Sequence, residues 1–565
     1  MPDYLHPGVY VQEAPATSLP IEGVSTATAA FIGVADKGPV PGTLLATGRM
    51  AQPVLVTSFT QYTRIFGGFR QDSFLTYAVQ AFFQNGGQSL YVVRVVPAVV
   101  SPPSVLAASA TGVIGGRGAP TTINFSALNP GQWGNNIWVQ LVPSSDGNTN
   151  DNFKLLVMYG ATQAQAQANI VESYDIVTYQ GSPNLLPGAP FPATYLRSVV
   201  NNRSEYIALT SDFTATPGNI SSVVTTSGIN QLSGGTDGTT SAVNFVGAAA
   251  TDNTLTGTGL YALDKITNVN LVAIPGQGDP ATVNQGVQYC KMRRLQDCFF
   301  IGDVGSIQDA TVTTNVSLAR LDSTTPTISK IGDARNFATS GFGGVALDRS
   351  SGDYGAVYFP WIYASDPIGS GRNPRILLPP SGFVAGIYAR IDNSRGVFKA
   401  PAGVEAGVSG ALAAYVPISD VEQDQLNPVM VNAIRTTAGS GLVVWGARTF
   451  SSDSSWRYVP VRRMAIFLRV SIYNGIQWAV FQPNDEALWS SLRLNIRAFM
   501  LTQFRAGAFQ GSTPDGAFFV KCDSSTTTQT DIDNGVVNIL VGFAPLKPAE
   551  FVVLKLSQKV NQPTA

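Results

Sequence analysis

Residues that could catalyse a reaction are few in this sequence. The chain contains one histidine, His6, which is followed directly by a proline. A Ser-His-Asp or Cys-His nucleophile needs an imidazole held in a folded domain, and histidine-rich metal sites need several. The simpler interpretation of His6 is an exposed polar residue in a terminal segment.

The cysteines are an odd number at scattered positions: Cys290, Cys298 and Cys522. Their spacing matches neither a zinc site nor a disulfide framework. We therefore predict buried or partly buried thiols, made in a reducing cytoplasm, and we predict no metal and no cofactor.

Two other patterns resemble functional motifs. The Gly-Thr-Gly run at Gly257 fits a dinucleotide-binding pattern, but it precedes the predicted strand at 269–274, whereas that motif follows a strand. Asp485 and Glu486 could form the carboxylate pair of a glycoside hydrolase. They also begin a predicted helix, where acids cap free N–H groups and favour the helix dipole. Capping is the simpler role, and no enzymatic activity is predicted.

Arginines are concentrated in segment 435–510, which contains nine arginines and three acidic residues, although the whole chain has a net charge of -1. On the predicted helix at 485–506, Arg493, Arg497 and Arg505 lie within about a third of the circumference and span about 18 Å. Like charges at such spacing destabilise a helix by about 0.2–0.5 kcal/mol per pair. Two interpretations remain open: a stripe that meets an acidic partner, and a solvated or internally paired face.

The composition favours a protein that assembles. Charged residues make up 13% of the 565 residues, against about 25% in typical soluble domains. Such a surface suits contact with other proteins, although a β-rich, loop-heavy fold would also fit. The near-neutral charge gives no field for nucleic acid. We find no secretory signal and no apolar run long enough for a membrane span, so we expect no stable membrane insertion.

The order of predicted elements indicates an α/β (α+β) multidomain fold with an inserted, mostly β domain. Apolar runs predict strands at 28–34, 53–56, 89–96, 269–274 and 298–302, with helices following Ser73 and near 280–296. We expect five parts, namely an N-terminal arm (1–20), an α/β domain (21–98 with 241–390), an inserted β-rich outer domain (99–240), a C-terminal inner domain (391–545) and a C-terminal arm (546–565).

The C-terminal domain combines long helices with short strands. The sequence predicts helices at 461–473 and 485–506, and strands at 441–446, 477–481 and 517–522. Short, apolar, β-prone runs also stand near the two ends of the chain. The residues of these runs are Val9, Tyr10, Val11 and Gln12 near the start, and Phe551, Val552, Val553 and Leu554 near the end.

Separated motifs of this chain resemble the phage tail-sheath family, including the sheaths of R-type tailocins and extracellular contractile injection systems. Those motifs include Pro7-Gly8-Val9-Tyr10-Val11-Gln12-Glu13, Phe66-Gly67-Gly68-Phe69, Trp133-Gly134-Asn135-Asn136, Phe359-Pro360-Trp361-Ile362 and Trp445-Gly446-Ala447-Arg448-Thr449. Phe383 and Phe398 depart from the pattern, because many relatives carry histidine there. A pH-sensing histidine is therefore excluded at both positions.

The resemblance implies a structural subunit that stacks as six-membered rings around an inner tube and contracts. Each subunit would lend its two terminal arms to the C-terminal domains of neighbours, and Arg493, Arg497 and Arg505 would face the tube. The expected partners are other copies, the tube protein, baseplate proteins and a tail-terminator or cap protein. A tube, baseplate or capsid subunit is the alternative. An enzyme would need a carboxylate pair in the 99–240 insert.

Overall fold

A computed structural model describes most of the chain, in two compact units. The described residues are 20–43, 50–97, 107–115, 122–147, 152–178, 194–209, 228–238, 240–252, 256–306, 328, 330–341, 345–370, 372 and 374–551. The large unit comprises residues 26–395 and 400–459, and the small unit takes the residues before, between and after them. Both described ends of the chain therefore belong to the small unit.

The first part of the large unit alternates strands and helices, as predicted. Its elements are β1 (Ala29–Gly33), β2 (Val54–Val56), α1 (Phe59–Phe66), α2 (Leu75–Gln84) and β3 (Leu90–Arg94). The side chain of Ser58 caps α1 by accepting from the N–H of Gln61 at 3.1 Å. Ser73 Oγ similarly accepts from the N–H of Leu75 at the start of α2. The strand predictions at 28–34, 53–56 and 89–96 are confirmed.

The insert is mostly β, as the sequence predicts. Its elements are β4 (Thr111–Gly115), β5 (Thr122–Ala127), β6 (Ile137–Pro143), β7 (Asn152–Tyr159), α3 (Gln163–Ala168), β8 (Ile170–Thr178), α4 (Leu196–Arg203), β9 (Ile207–Leu209) and β10 (Ile229–Gln231). They form two antiparallel sheets, in the orders β10-β6-β7-β8 and β4-β5-β9. Phe125, Trp133 and Phe153 belong to the hydrophobic core of this insert.

The chain then returns to the α/β part of the large unit. The elements are α5 (Ala242–Val246), β11 (Leu271–Ala273), α6 (Pro280–Met292), β12 (Phe299–Asp303), α7 (Ile331–Thr339), β13 (Gly355–Phe359), β14 (Ile362–Ser365), β15 (Arg375–Leu378), α8 (Ser381–Arg395), β16 (Ala411–Ala414), α9 (Asp420–Leu426), β17 (Val431–Thr437) and β18 (Gly441–Val444). The strands predicted at 269–274 and 298–302 and the helix near 280–296 are confirmed.

One eight-stranded sheet organises this unit, in the order β18-β17-β13-β12-β11-β1-β3-β2. The six central strands run parallel, and antiparallel β18 and β2 stand at the two ends. All residues of β1, β12 and β13 are buried, which is the pattern of parallel strands covered on both faces. The insert lies between β3 and β11, which are the two neighbours of β1 in the sheet. The eight-stranded sheet therefore contains no strand of the insert.

An ion-pair cluster fixes the insert to the sheet. Arg70 pairs with Asp237, which lies after β10, at 2.9 Å, and with Asp72 at 2.6 Å. The carboxylate of Asp237 also accepts from the N–H of Gln132 at 2.9 Å. Nearby, the buried guanidinium of Arg94 donates to the carbonyl of Gly38 at 2.8 Å. Charge-assisted hydrogen bonds are stronger than neutral ones, and the Arg70–Asp237 pair ties the insert to the α/β part of the large unit.

The small unit contains α10 (Val459–Gly475), α11 (Glu486–Arg505), α12 (Pro514–Ala517), β19 (Phe518–Lys521), α13 (Gln529–Asp533) and β20 (Leu540–Phe543). The helices predicted at 461–473 and 485–506 and the strand at 517–522 are confirmed. The strand predicted at 441–446 is also confirmed, as β18 of the large unit. The prediction of a strand at 477–481 is wrong, because Gln477–Ala479 is a 3-10 turn between two helices. Among the described residues, no strand pairs with this segment.

A buried carboxylate joins three segments at one end of the parallel sheet. Asp303 ends β12 and is 1% exposed. It accepts from the N–H of Gly276 at 3.0 Å, and from the N–H and hydroxyl of Ser381 at 2.8 and 2.9 Å. Burial raises the pKa of Asp303 to about 6, although these bonds favour the charged form. The carboxylate thereby satisfies donors at the start of α8.

The pKa of Asp303 predicts a pH dependence of stability. Because the folded pKa lies above the ordinary value of 3.8, the native state holds this proton more tightly than the unfolded state. The contribution of Asp303 to stability therefore falls as the pH rises from about 3.8 to about 6. The total loss is about 3 kcal/mol, at about 1.36 kcal/mol per pKa unit. Relative to the Asp303→Asn variant, the wild type should lose thermal stability as the pH rises from about 3.8 to about 6. A difference in unfolding temperature that does not change with pH would contradict this.

Candidate subunit-interaction surface

The described N-terminal residues are anchored on α10 of the small unit. The N–H of Val24 donates to Ser471 Oγ at 3.1 Å. Ile21 is buried in the core of the unit, and a Cβ at Gly23 would touch the ring of Phe467. Residues 1–19 are outside the described chain, and so are Val9, Tyr10, Val11 and Gln12. The predicted N-terminal arm therefore continues from an anchored point in the small unit.

The described C-terminal end leaves the same unit. Phe551, the last described residue, is 75% exposed. The other residues of the predicted C-terminal arm, Val552, Val553 and Leu554, are outside the described chain. The predicted pairing of both arms stays a prediction.

Strands β19 and β20 form a two-stranded antiparallel sheet, with register from Phe518↔Phe543 to Lys521↔Leu540. Phe518 and Val520 face the core that contains Phe499 and Met500 of α11. Within the described residues, each of the two strands pairs with the other alone. Just beyond β20, Phe509 bridges Pro545 and the N–H of Gln510 donates to the carbonyl of Ala544 at 2.9 Å. A two-stranded sheet is by itself only marginally stable, and strand edges that stay unpaired can accept a further strand.

The outer face of this small sheet carries exposed apolar side chains beside Lys521. Phe519 is 45% exposed and Leu540 52% exposed. The Phe519 ring covers Gly542, its cross-strand neighbour, where an added Cβ would lie 2.2 Å from the ring. Unpaired edges beside exposed apolar side chains are typical of a surface that binds another chain.

The long helix α11 supports this sheet and begins as the sequence predicts. The carboxylate of Asp485 accepts from the N–H of Leu488 at 2.9 Å, which makes Asp485 the N-cap. Asn484 Oδ1 accepts from the indole N–H of Trp489 at 2.8 Å. The predicted capping role is confirmed, and both groups are engaged in holding the start of the helix.

The three predicted tube-facing arginines differ in their surroundings. Arg493 is partly buried and donates to the carbonyl of Cys522 at 2.6 Å. Arg497 is exposed and pairs with Asp515 at 2.9 Å. Arg505 is exposed, and the described chain shows no ion pair for it. The stripe is therefore internally paired at two positions, and Arg497 and Arg505 are the ones whose charge reaches solvent.

The other candidate residues lie in structural positions. All three cysteines are buried and free, and burial raises the pKa of the Cys298 thiol, which donates to the carbonyl of Val269. The predicted core thiols are thus confirmed. Gly257 precedes a five-residue 3-10 turn, Gly259–Leu263, which is followed by β11. That is not the strand–turn–helix order of a dinucleotide site. His6 is outside the described residues.

Neither a metal cluster nor a membrane-spanning helix is found in the part of the chain that the structure describes. No group of three or more histidine, cysteine or acidic side chains there could hold a metal ion. No described helix is both long and apolar enough to cross a bilayer.

Two family profiles match the chain one after the other. The phage tail sheath protein central domain matches residues 247–450, and the phage tail sheath C-terminal domain matches residues 451–559. Together they span more than half of the 565 residues. This chain belongs to the phage tail sheath family, which confirms the resemblance seen in its motifs.

Individual relatives agree with this assignment. The tail sheath protein of Vibrio phage KVP40 is 26% identical over 180 residues, which is 31% of this chain and 26% of that protein. A putative prophage major tail sheath protein of Pseudomonas aeruginosa is 26% identical over 187 residues, 32% of this chain and 46% of that protein. The match thus spans about a quarter and about half of these relatives, respectively.

The fold of the whole chain has a solved counterpart. The sheath complex of an extracellular contractile injection system, PVC, in its contracted state superposes with a TM-score of 0.53. The two chains are 20% identical, and the match covers 99% of each. The predicted mixed α/β multidomain fold is confirmed.

The different surroundings of Arg493 and Arg497 predict different costs of substitution. Arg493→Gln should lower the free energy of unfolding by about 1–3 kcal/mol, because it removes a charged donor from the Cys522 carbonyl. Arg497→Gln should cost less than about 1 kcal/mol, since its ion pair is exposed. Thermal unfolding of the two variants, measured side by side, checks this. Equal losses of stability would contradict the assignment.

Proposed function

We propose that this chain is the structural sheath subunit of a contractile tail or injection apparatus. It polymerises as stacked six-membered rings around an inner tube, and contraction drives the tube through a target envelope. The observation that carries this proposal is the two-stranded sheet β19–β20 in the unit that also holds both described ends of the chain. Membership of the tail sheath family supports it.

The proposed link between copies is β-strand addition. The arm residues Val9, Tyr10 and Val11 of one neighbour, and Phe551 to Leu554 of another, pair with the outer edges of β19 and β20. About six backbone hydrogen bonds per arm, each worth about 0.5–1.5 kcal/mol net, give several kcal/mol per link before the arm's ordering cost. Covalently continuous arms would keep the lattice connected while the folded units rotate.

The parts of the chain have distinct roles in this proposal. The 99–240 insert forms the outer domain, the α/β part carries the body of the wall, and residues 391–545 face the tube. Arg493, Arg497 and Arg505 hold the extended sheath on an acidic tube surface, with Arg497 and Arg505 making the contacts because they are exposed. The sheath assembles in the bacterial cytoplasm and meets baseplate and tail-terminator or cap proteins at its ends. Its role is structural, not enzymatic.

Removing the N-terminal arm tests the strand link. A variant without residues 2–19 keeps the anchor at Ile21 and Val24 and should fold with an unchanged unfolding temperature. It should not form ordered cylinders, because one edge of each small sheet stays unpaired. Negative-stain microscopy of the purified chain shows whether ordered cylinders form.

The matched control lacks residues 557–565, which follow the predicted C-terminal strand, and it should still form cylinders. Cylinders of normal order from the arm-deleted variant would refute strand addition by that arm.

Reversing the exposed arginines tests the contact with the tube. The double variant Arg497→Glu with Arg505→Glu should leave the subunit folded. The Arg497–Asp515 ion pair is exposed, and the described chain shows no ion pair for Arg505. The altered sheath should dissociate from the tube or contract prematurely, because like charges then face each other. Micrographs of particles assembled with the tube protein show the fraction of extended sheaths.

A control with Arg294→Glu and Arg335→Glu changes the same charge at exposed positions of the large unit. Normal extended particles from the Arg497 and Arg505 variant would show that these side chains do not hold the tube.

A further inference from the structure

Two of the three buried thiols lie where α6 packs on β12. The helix ends at Met292 and the strand begins at Phe299, so Cys290 lies in the last turn of α6 and Cys298 directly precedes β12. Both side chains are completely buried, and both thiols are free. We call Cys290 and Cys298 the dithiol.

The packing of α6 on β12 places the two cysteines opposite each other. A Cβ added to Gly286 would lie 2.3 Å from the ring of Phe300, and one added to Gly302 would lie 3.4 Å from the side chain of Val283. The helix thus runs antiparallel to the strand, as a crossover between parallel β11 and β12 requires. One helical turn beyond Gly286 and two residues before Phe300, the next facing positions on the helix and the strand are those of the dithiol.

The interactions of the Cys298 thiol agree with this register. Burial raises its pKa, a hydrogen bond with the Cys290 thiol raises the pKa further, and the guanidinium of Arg293 opposes the rise. The thiol also donates to the carbonyl of Val269 at 3.2 Å. Two thiols in mutual contact are positioned to form a disulfide, and a neighbouring cation favours the thiolate that must react first.

The loop between the two cysteines is fixed at its ends and open to solvent in its middle. Arg293 pairs with Asp297 at 2.7 Å, and both side chains are at most 8% exposed. The guanidinium also donates to the carbonyls of Leu263 and Ile266 at 2.9 and 2.6 Å. Met292 of the same loop is 81% exposed. The dithiol therefore lies directly under a surface loop, and a local opening of that loop admits a small oxidant without global unfolding.

We propose that Cys290 and Cys298 form an intrachain disulfide when the folded subunit meets a peroxide, and that this bridge joins α6 covalently to β12. A reducing cytoplasm keeps both thiols free, as they are in the described chain. The inference concerns the large unit alone and does not depend on strand addition between copies.

The oxidation balances with one hydrogen peroxide per bridge. The Cys298 thiolate attacks one peroxide oxygen, which breaks the O–O bond and gives a sulfenic acid and hydroxide. The Cys290 thiolate then attacks the sulfenic sulfur, so that the S–S bond forms and a second hydroxide leaves. The two thiol protons convert both hydroxides to water. Two thiols are thereby oxidised to a disulfide, and the peroxide is reduced to two water molecules.

Peptide mapping of the full chain detects the bridge directly. The folded protein is treated with hydrogen peroxide, the peroxide is removed with catalase, and the chain is unfolded in an alkylating agent before digestion. Trypsin cleaves between the two cysteines, after Lys291, Arg293 and Arg294, so the bridge joins peptide 266–291 to peptide 295–320. Mass spectrometry should show this linked pair, and a thiol reductant should separate it. Free or over-oxidised thiols at both positions, or links to another copy, would overturn the inference.

Thermal unfolding tests whether the bridge joins the two elements in the native geometry. The oxidised chain should unfold about 3–10 °C higher than the same sample after thiol reduction, because the bridge closes a loop of nine residues. A linked pair without this rise would contradict a bridge formed in the native packing. The matched control is Cys522→Ala, which removes the buried thiol of the small unit and should keep both the linked pair and the rise. Cys290→Ala should lose both, and the wild-type measurements decide the outcome without it.

Discussion

A β-strand edge with unpaired N–H and C=O groups is the constraint on which the proposed assembly depends. The eight-stranded sheet of the large unit ends in antiparallel strands on both sides and is buried across its centre. The sheet of the small unit has only β19 and β20, with apolar side chains exposed on its outer face. Such a sheet gains most from a strand supplied by another molecule. In the proposed assembly, a strand from a neighbouring copy would extend the sheet of the small unit.

Other contacts hold this two-stranded sheet, the start of the N-terminal arm and the insert in place. The cap at Asp485 and the buried face of α11 hold β19 in place, and the contact of Val24 with Ser471 fixes the point from which the N-terminal arm departs. In the large unit, the ion pair of Arg70 with Asp237 fastens the insert to the sheet.

Much of this arrangement could be predicted from sequence, for identifiable reasons. Continuous apolar runs predicted β1, β3, β11 and β12, because parallel strands are buried on both faces. The turn at 477–481 was mistaken for a strand, since a short apolar run does not reveal whether a partner strand exists. Strand β20 was missed, although Ile539, Val541 and Phe543 alternate as in a half-buried strand. The pairing of Arg497 with Asp515 depends on tertiary contact between residues 18 positions apart, which no local pattern shows.

Hydrogen exchange of the small sheet on polymerisation tests the central claim most directly. In the isolated subunit, peptides covering Phe518–Lys521 and Leu540–Phe543 should exchange quickly, because among the described residues each of these strands pairs only with the other. In assembled cylinders the same peptides should become protected, while β1 and β13 of the large sheet change little. Cylinders in which β19 and β20 exchange as fast as in the free subunit would contradict strand addition as the link between copies.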